Sequence, residues 1–487
     1  MLEKQERELV KALCDVRRAI EAQRTKIKEF VERLPSLIDR LPNELLLYII
    51  SLAIHTNTDL ELSYTPYHDV HNWKTEALMK VSPHWRNTIL HCPMLWNTIV
   101  VAPSWNKLQL KAHVERSWPS LVDIEICGWW ITDSDLNLNE LLDVAALCAD
   151  RWHSVSILNT DFPRIAVLRS IRHLVLPSLA RFSVACIPAF LDENSDIFNP
   201  RFFTPGNSPF LQYLEIGGDF ITSPGLPILP SLKELHICLP PYTSGTSTTF
   251  LERLSLYPRL STLTLSGDDQ ALKLLRPNGL QLPFLGKLIC KLSNASSLLH
   301  AIVAPMLTHF EYTPEQWGRL DGDILFTGIG SKFTGVRHLV LNTKYRQFKK
   351  VVWSAFPNLC HVELHRHDAD IIFQSDLPSI AWQYLESLFI NGGHALDDEG
   401  VHIHGSPTFL DGLANWLQQR QDMGKSMLQI KIFSYSGDAD WISKMHDELH
   451  GLSMLEWGDN MFNMFVRLSG TSATPWLVCD FLYVLLN

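Results

Sequence analysis

The first 34 residues place apolar side chains at a seven-residue spacing on an otherwise charged segment. Two such series lie next to each other, with Leu13, Ile20, Ile27 and Leu34 in one and Leu2, Leu9, Val16, Gln23 and Phe30 in the other. Gln23 is the one polar residue among them. This spacing predicts a helix with the apolar seam of a coiled coil, and Pro35 ends it. Two interpretations are open: the helix forms a homodimer through residues 2–34, or its seam packs on the same chain.

A second helix is predicted after Leu41, with apolar residues on nearly every side. Pro42 suits the first helical position, and Glu44 in the first turn interacts favourably with the helix dipole. A helix that is apolar nearly all round is buried on more than one face. The segment 41–101 is only about 60 residues long, a size that is marginal for a domain on its own. One face therefore packs within the module and the other meets a second protein, or else the helix belongs to a larger core.

After residue 101 a shorter apolar pattern recurs, with its second apolar position three residues after the first and its third two residues later. Its copies begin at Leu121, Trp152, Ile171, Leu179, Leu211, Leu232, Leu260, Leu285, Leu307, Val336, Leu359 and Leu385. Most copies start 19 to 32 residues apart, although Ile171 and Leu179 are eight apart. Each copy predicts a short strand, and the array predicts an irregular solenoid with one parallel sheet. Residues 413–487 show no clear copy and are assigned to a C-terminal cap.

The same pattern predicts which residues face outward, because side chains alternate between the two faces of a strand. In this alignment His309, His338 and His361 lie side by side, and Glu311 and Glu363 flank them. Three interpretations apply to this patch: a solvated polar face, part of a surface that recognises a protein substrate, or a metal or pH-sensing site. The working hypothesis is the second.

Short motifs within residues 41–101 resemble the F-box, the three-helix module of cullin–RING ubiquitin ligase receptors. They are Leu41-Pro42-x-Glu44-Leu45-Leu46 before an apolar helix, Val81-x-x-x-Trp85-Arg86, and Leu95-Trp96. The chain departs from the compact F-box in two ways: it has a polar insertion at residues 56–73, and it has Ser82 at a position where F-box sequences frequently have cysteine. In both respects it resembles more closely the F-box-like proteins of mushroom-forming fungi. The recurring strands resemble degenerate leucine-rich repeats that lack the usual asparagine after the strand.

The resemblance implies that the first helix of the module contacts the Skp-type adaptor of the ligase. The residues implied in this contact are Leu41, Pro42, Leu45, Leu46, Ile49 and Ile50. The residues implied in the core of the module are Val81, Trp85, Leu95 and Trp96. By the same resemblance, the repeat domain would bind a protein substrate.

Composition narrows the class of protein. With 46% hydrophobic residues the 487-residue chain has ample material for a large core. The formal net charge of −10 argues against nucleic acid or an anionic membrane as partner. The nine cysteines include no Cys-x-x-Cys pair, which fits a reducing compartment. A charged N-terminus and the lack of a run of about 20 apolar residues predict a cytoplasmic or nuclear protein.

No motif for chemistry accompanies these features. The chain has no Gly-rich phosphate loop, Gly-x-Ser-x-Gly elbow or His-Glu-x-x-His helix, so we expect a non-catalytic protein without a cofactor. The expected organisation is an α/β solenoid chain: a coiled-coil helix and linker (1–40), an F-box-like module (41–101), a leucine-rich-repeat-like domain (102–412) and a cap (413–487). The expected function is a substrate-recognition adaptor of a Skp–cullin–F-box ubiquitin ligase. Alternatives are a repeat scaffold that engages no ligase, and an unrecognised enzyme.

Overall fold

The structure is a computed structural model that describes residues 2–33, 41–55, 74–129, 135–158, 164–184, 203–217, 228–239, 251, 253–314, 325–330, 332–343, 352–365, 368–369, 372–373, 382–391, 407–433, 448–449 and 451–457. The chain divides into two compact units, Met1–Cys148 and Ala149–Asn487. Helices and parallel strands occur in both, which confirms the mixed α/β class.

The described part of the first unit contains six α-helices and two strands. The helices are α1 (Leu2–Arg33), α2 (Asn43–His55), α3 (residues 74–79), α4 (Pro83–Leu90), α5 (Lys107–Arg116) and α6 (Asp135–Ala146). The strands are β1 (Thr98–Val101) and β2 (Val122–Cys127), which pair in parallel with Ile99 opposite Ile124. The segment assigned to the F-box-like module therefore ends in a strand of a sheet.

One face of α2 closes the core of the helical module. Leu46, Ile50 and Ile54 lie one helical turn apart on that face, and all three are buried. Their buried neighbours come from α4 and from a 3₁₀ turn at Pro93–Trp96, and they are Trp85, Ile89, Leu95 and Trp96. The indole N–H of Trp96 donates a hydrogen bond of 2.8 Å to the carbonyl of Ile89, so the buried ring is also satisfied as a donor.

Ser82 has a local structural role at the start of α4. Its hydroxyl oxygen accepts a hydrogen bond of 3.2 Å from the backbone N–H of Trp85 and so caps α4. Pro83 follows in the first turn, where it replaces an N–H that has no partner in the helix. These two residues fix the start of the helix that carries Trp85 into the core.

The second unit is built on short strands. They are β3 (Trp152–Leu158), β4 (Arg181–Val184), β5 (Tyr213–Ile216), β6 (Glu234–Leu239), β7 (Thr262–Gly267), β8 (Leu280–Gln281), β9 (Lys287–Leu292), β10 (Ile302–Val303), β11 (His309–Tyr312), β12 (His338–Leu341), β13 (His361–His365), β14 (Ser387–Asn391), β15 (Leu428–Phe433) and β16 (Ser453–Trp457). Its described α-helices are α7 (Arg164–Ile171), α8 (Ser296–Ala301), α9 (Val352–Ala355) and α10 (Pro407–Asp422). All strands of this unit except β8 and β10 form one parallel sheet in chain order, while β8 pairs with β10. The expected large parallel sheet is therefore confirmed.

The strand predicted at Ile171 is wrong. Ile171 ends α7, where Val167 and Leu168 are buried with it at helical spacing. Leu179, the start of the next copy, comes only eight residues later. A parallel pair of strands needs a crossover of a dozen or more residues, so two strands cannot begin this close together. The other eleven copies coincide with strands of the structure.

The sheet also continues beyond residue 412, through the segment assigned to a cap. β15 pairs in parallel with β14, placing Ile430 opposite Leu388, and β16 pairs in parallel with β15, placing Leu455 opposite Ile430. Between β14 and β15 the chain forms α10. The segment 413–487 thus contributes at least two strands to the same sheet.

Most strands of the sheet follow the same tight turn. Two residues before the strand, a backbone N–H donates to the carbonyl three residues earlier, as in Leu232 to Leu229, or Leu285 to Leu282. These turn leucines are buried. In the copies that follow this turn, the first apolar position is therefore a turn residue that anchors the strand, and the two later positions are the buried residues of the strand itself.

Candidate protein-binding surfaces

The side of α2 that faces away from the core is an apolar strip. Leu45, Tyr48 and Leu52 lie three and four residues apart and keep 44 to 63% of their surface exposed. We call these three residues the α2 strip. Contiguous exposed apolar residues are typical of surfaces that bind another protein. Tyr48 and Leu52 were missing from the set implied by resemblance, although their helical spacing from Leu45 was visible in the sequence.

The six residues implied in adaptor contact divide between two surfaces. Leu46 and Ile50 are fully buried against Trp85 and its neighbours, so the structure moves them from the adaptor set to the core. The physical reason is their four-residue spacing, which places them on one face. The residues that stay exposed or half-buried are Leu41, Pro42, Leu45 and Ile49.

The predicted core of the module is corrected at one position. Trp85, Leu95 and Trp96 are buried, as expected from the resemblance. Val81 lies in the turn between α3 and α4, where its N–H bonds to the carbonyl of Leu78, and its side chain is mainly exposed. A turn residue on the surface cannot hold the three helices together.

Three histidines form a row on the sheet of the second unit. His309 on β11 is in register with His338 on β12, which is in register with His361 on β13. The ring centroids are 4.4 Å apart for the first pair and 6.1 Å apart for the second. His361 Nδ1 lies 2.7 Å from Ser387 Oγ on β14, and this hydrogen bond orients the His361 ring. The neighbours predicted from the alternation of side chains are therefore neighbours in the structure.

Two carboxylates lie two residues further along the same strands. Glu311 and Glu363 flank Val340 of β12 in the register of the sheet. Glu311 Oε2 is 3.8 Å from His309 Nε2, which is an electrostatic contact beyond ordinary hydrogen-bond length. Glu311 Oε1 accepts a hydrogen bond of 3.2 Å from Thr313 Oγ1. We call Glu311, Glu363 and the three histidines the histidine–glutamate patch.

The charges of this patch are set by burial and by close neighbours. His309 lowers the pKa of Glu311 against the opposing effect of burial, and Thr313 adds to the lowering. Burial raises the pKa of Glu363, and the nearby Glu311 raises it further. Burial also lowers the pKa of His338 to about 4, with smaller contributions from its histidine neighbours. His338 is therefore neutral near pH 7, which disfavours it as a pH sensor in the physiological range.

The chemistry available to the patch is recognition of polar groups. The neutral imidazole of His338 can donate and accept a hydrogen bond, and the ionised Glu311 attracts cationic or N–H-bearing groups. Within the described ranges, no group of three or more His, Cys, Asp or Glu side chains is arranged to hold a metal ion. The metal interpretation of the histidine row thus gains no support from the geometry.

A second polar cluster on the same sheet was not singled out from the sequence. Tyr213 on β5 donates a hydrogen bond of 3.0 Å to Glu215, which also accepts one of 2.6 Å from Ser183 of β4. The Tyr213 oxygen is 3.2 Å from His236 Nδ1 on β6, and the Arg181 guanidinium lies 4.2 Å from the Tyr213 ring centroid. The alternation of side chains also predicts that these residues face outward, but only the side-chain geometry links them.

Asp368 is a buried carboxyl group away from these surfaces. The backbone N–H of Thr343, after β12, donates to it over 2.9 Å, and the Thr343 hydroxyl donates to its second oxygen. Burial raises the pKa of Asp368 to about 7, although both hydrogen bonds act in the opposite direction. The residue ties the end of β12 to the segment after β13, which is a structural role.

No described helix has the length and apolar character needed to cross a membrane. In comparisons with known proteins, no family model matches the chain, and no curated protein does.

Proposed function

We propose that this chain is a non-catalytic substrate-recognition subunit of a Skp–cullin–F-box ubiquitin ligase. The α2 strip would dock on the Skp-type adaptor, and the sheet of the second unit would bind a protein substrate. The observation that carries the proposal is that α2 keeps Leu45, Tyr48 and Leu52 in solvent while its opposite face closes the core. The module can therefore fold around one face and bind with the other.

The α2 strip has the chemistry of a docking surface. Fully burying a leucine contributes roughly 1.5–3 kcal/mol, and binding can bury only the half of Leu45 and Leu52 that is still exposed. The two leucines and the tyrosine ring therefore contribute a few kcal/mol toward the ~8 kcal/mol that micromolar binding requires. Pro42 is exposed and Leu41 half-buried at the start of the same helix, so they lengthen the contact surface.

The sheet of the second unit supports the substrate-binding half of the proposal. Its strands present two polar clusters, the histidine–glutamate patch and the residues around Tyr213. Solenoid proteins bind partners on extended surfaces of this kind. In this proposal the chain contributes proximity: by holding substrate and ligase in one complex it raises their effective concentration.

Affinity purification of the chain from cells, followed by mass spectrometry, tests both halves together. We expect the wild-type chain to recover a Skp-type adaptor and one or more substrate proteins. The Leu41→Ala, Pro42→Ala variant should lose the adaptor and keep the substrates. If the wild-type chain recovers substrates but never an adaptor, the protein is a binding scaffold without ligase engagement, and the proposal fails.

A further inference from the structure

The apolar seam of α1 is exposed along the part of the helix whose side chains are described. Its residues Leu9, Leu13, Val16, Ile20 and Ile27 each keep 50 to 71% of their surface accessible. The described part of the chain therefore does not cover the seam, as it would if α1 packed on its own protein. At 32 residues the helix is about 48 Å long, so the exposed stripe is extensive.

A helix of this kind gains most of its stability from packing its apolar stripe. Isolated helices in water are marginal, and the stabilisation of amphipathic helices comes chiefly from the surface they bury. On α1 the polar side contributes local contacts, such as the 3.2 Å ion pair between Arg18 and Asp15. Something outside the described chain has to cover the seam for the helix to be well populated.

We propose that α1 forms a parallel, in-register coiled coil with α1 of a second copy of this chain. In a parallel pair each seam residue meets its own counterpart, so Gln23 faces Gln23 and each amide can donate to the other. An antiparallel pair aligned over the whole seam places Gln23 against Leu13, which buries an amide without a partner. A single polar residue in a seam is a known device for fixing register and strand number.

The residues beside the seam also fit a parallel second copy of α1. Arg17 and Arg24 lie on one flank of the seam, while Ala12 and Ala19 lie on the other. In the parallel pair Arg17 of one copy lies beside Ala12 of the other, and Arg24 beside Ala19, so no like charges oppose each other across these positions. The full antiparallel alignment instead sets Arg17 against Arg17. The charge pattern therefore favours a parallel second copy.

The dimer does not depend on adaptor binding. It would give each assembly two substrate-binding units, and two linked sites bind a bivalent partner far more tightly than one site does.

The mass of the full-length chain in solution tests the dimer. Light scattering after gel filtration should give twice the 55.6 kDa of one chain. Placing two glutamates in the seam, Leu13→Glu with Ile20→Glu, should raise the dimer dissociation constant at least about 100-fold, because it buries charges in an apolar interface. Ala22→Glu with Thr25→Glu adds the same charge on the outer side of the helix and should leave the mass unchanged. A monomeric wild-type chain, a trimer, or equal behaviour of the two variants would overturn the proposal.

Cross-linking tests the orientation. In a Cys14→Ser background, Gln23→Cys should form a disulfide-linked dimer on oxidation, because in a parallel pair the two positions are within the roughly 7 Å that a disulfide spans between Cα atoms. Thr25→Cys in the same background faces outward and should cross-link poorly. A dimer by mass that gives no disulfide through Gln23→Cys would overturn the parallel arrangement.

Discussion

Leu45 and Leu46 are adjacent in α2 and belong to opposite surfaces. The first is 53% exposed in the α2 strip, while the second is 0% exposed in the core formed with Trp85 and Trp96. A leucine is therefore exposed at one position and buried at the next, and the difference depends only on its position around the helix axis. Stability and partner binding can be separated experimentally at these two leucines.

Truncation of the two leucines should give very different stabilities. Leu46→Ala leaves a cavity in the core and should lower the free energy of unfolding by about 2–5 kcal/mol. Leu45→Ala removes an exposed side chain and should change it by no more than about 0.5 kcal/mol. Hydrogen exchange of the α2 and α4 amides at increasing urea concentration measures both, because it reports on this core alone, whereas fluorescence would sum all 15 tryptophans of the chain. Equal losses would mean that the assignment of the two faces is incorrect.

The buried Asp368 should make the stability of the second unit depend on pH. Its folded-state pKa of about 7 lies well above the usual value for aspartate, so between about pH 4 and 7 the folded protein holds a proton that the unfolded chain has released. The contribution of Asp368 to the free energy of unfolding is therefore fully present below about pH 4 and is lost as the pH rises through 7.

The variant Asp368→Asn separates this effect from other titrations. Its amide oxygen can still accept from the Thr343 N–H and its amide nitrogen can donate to the Thr343 hydroxyl, but it cannot ionise. Relative to the wild type, Asp368→Asn should become progressively more stable from pH 4 to pH 8 in chemical denaturation. Asp411→Asn, at an exposed site on α10, is the matched control. Its free energy of unfolding should change with pH in the same way as that of the wild type. If the free energies of unfolding of the wild type and Asp368→Asn change equally with pH, the pKa of Asp368 is not raised.

Replacing His338 by glutamate should weaken substrate binding without unfolding the protein. The new carboxylate would lie in register between His309 and His361 and close to Glu311, so it changes the charge of the patch at its centre. The recovery of substrate proteins by affinity purification should fall several-fold, while the unfolding midpoint shifts little. His173→Glu makes the same change at an exposed residue outside the described strands. If both variants recover substrates like the wild type, the patch is only a solvated face.

The strands were largely predictable because the repeated pattern records a physical unit, a buried turn residue followed by two buried strand residues. Two strands were missed although they fit the same spacing, with Met427-Ile430-Ile432 in β15 and Leu452-Leu455-Trp457 in β16. The insertion of α10 lengthens the interval before Met427, and Met427 is itself exposed, so this copy looks unlike its neighbours.

The binding surfaces were less predictable. In α2 nearly every position is apolar, so periodicity alone could not tell whether Leu45 or Leu46 faces the core. The answer depends on where Trp85 and Trp96 lie in three dimensions. The histidine row was predictable because a parallel sheet in regular register aligns equivalent positions, whereas its pKa shifts depend on burial, which the pattern does not give.

The affinity of the purified chain for a purified Skp-type adaptor, measured by calorimetry, tests directly whether α2 docks on the adaptor. We expect binding in the micromolar range or tighter for the wild type, and at least about 100-fold weaker binding for Leu45→Glu with Leu52→Glu, which places charges in the α2 strip. Leu108→Glu alters a leucine of α5 that is also exposed, and it should bind like the wild type. A folded wild-type chain that does not bind the adaptor, or an affinity that the change in the α2 strip leaves unaltered, would rule out the proposed role of α2.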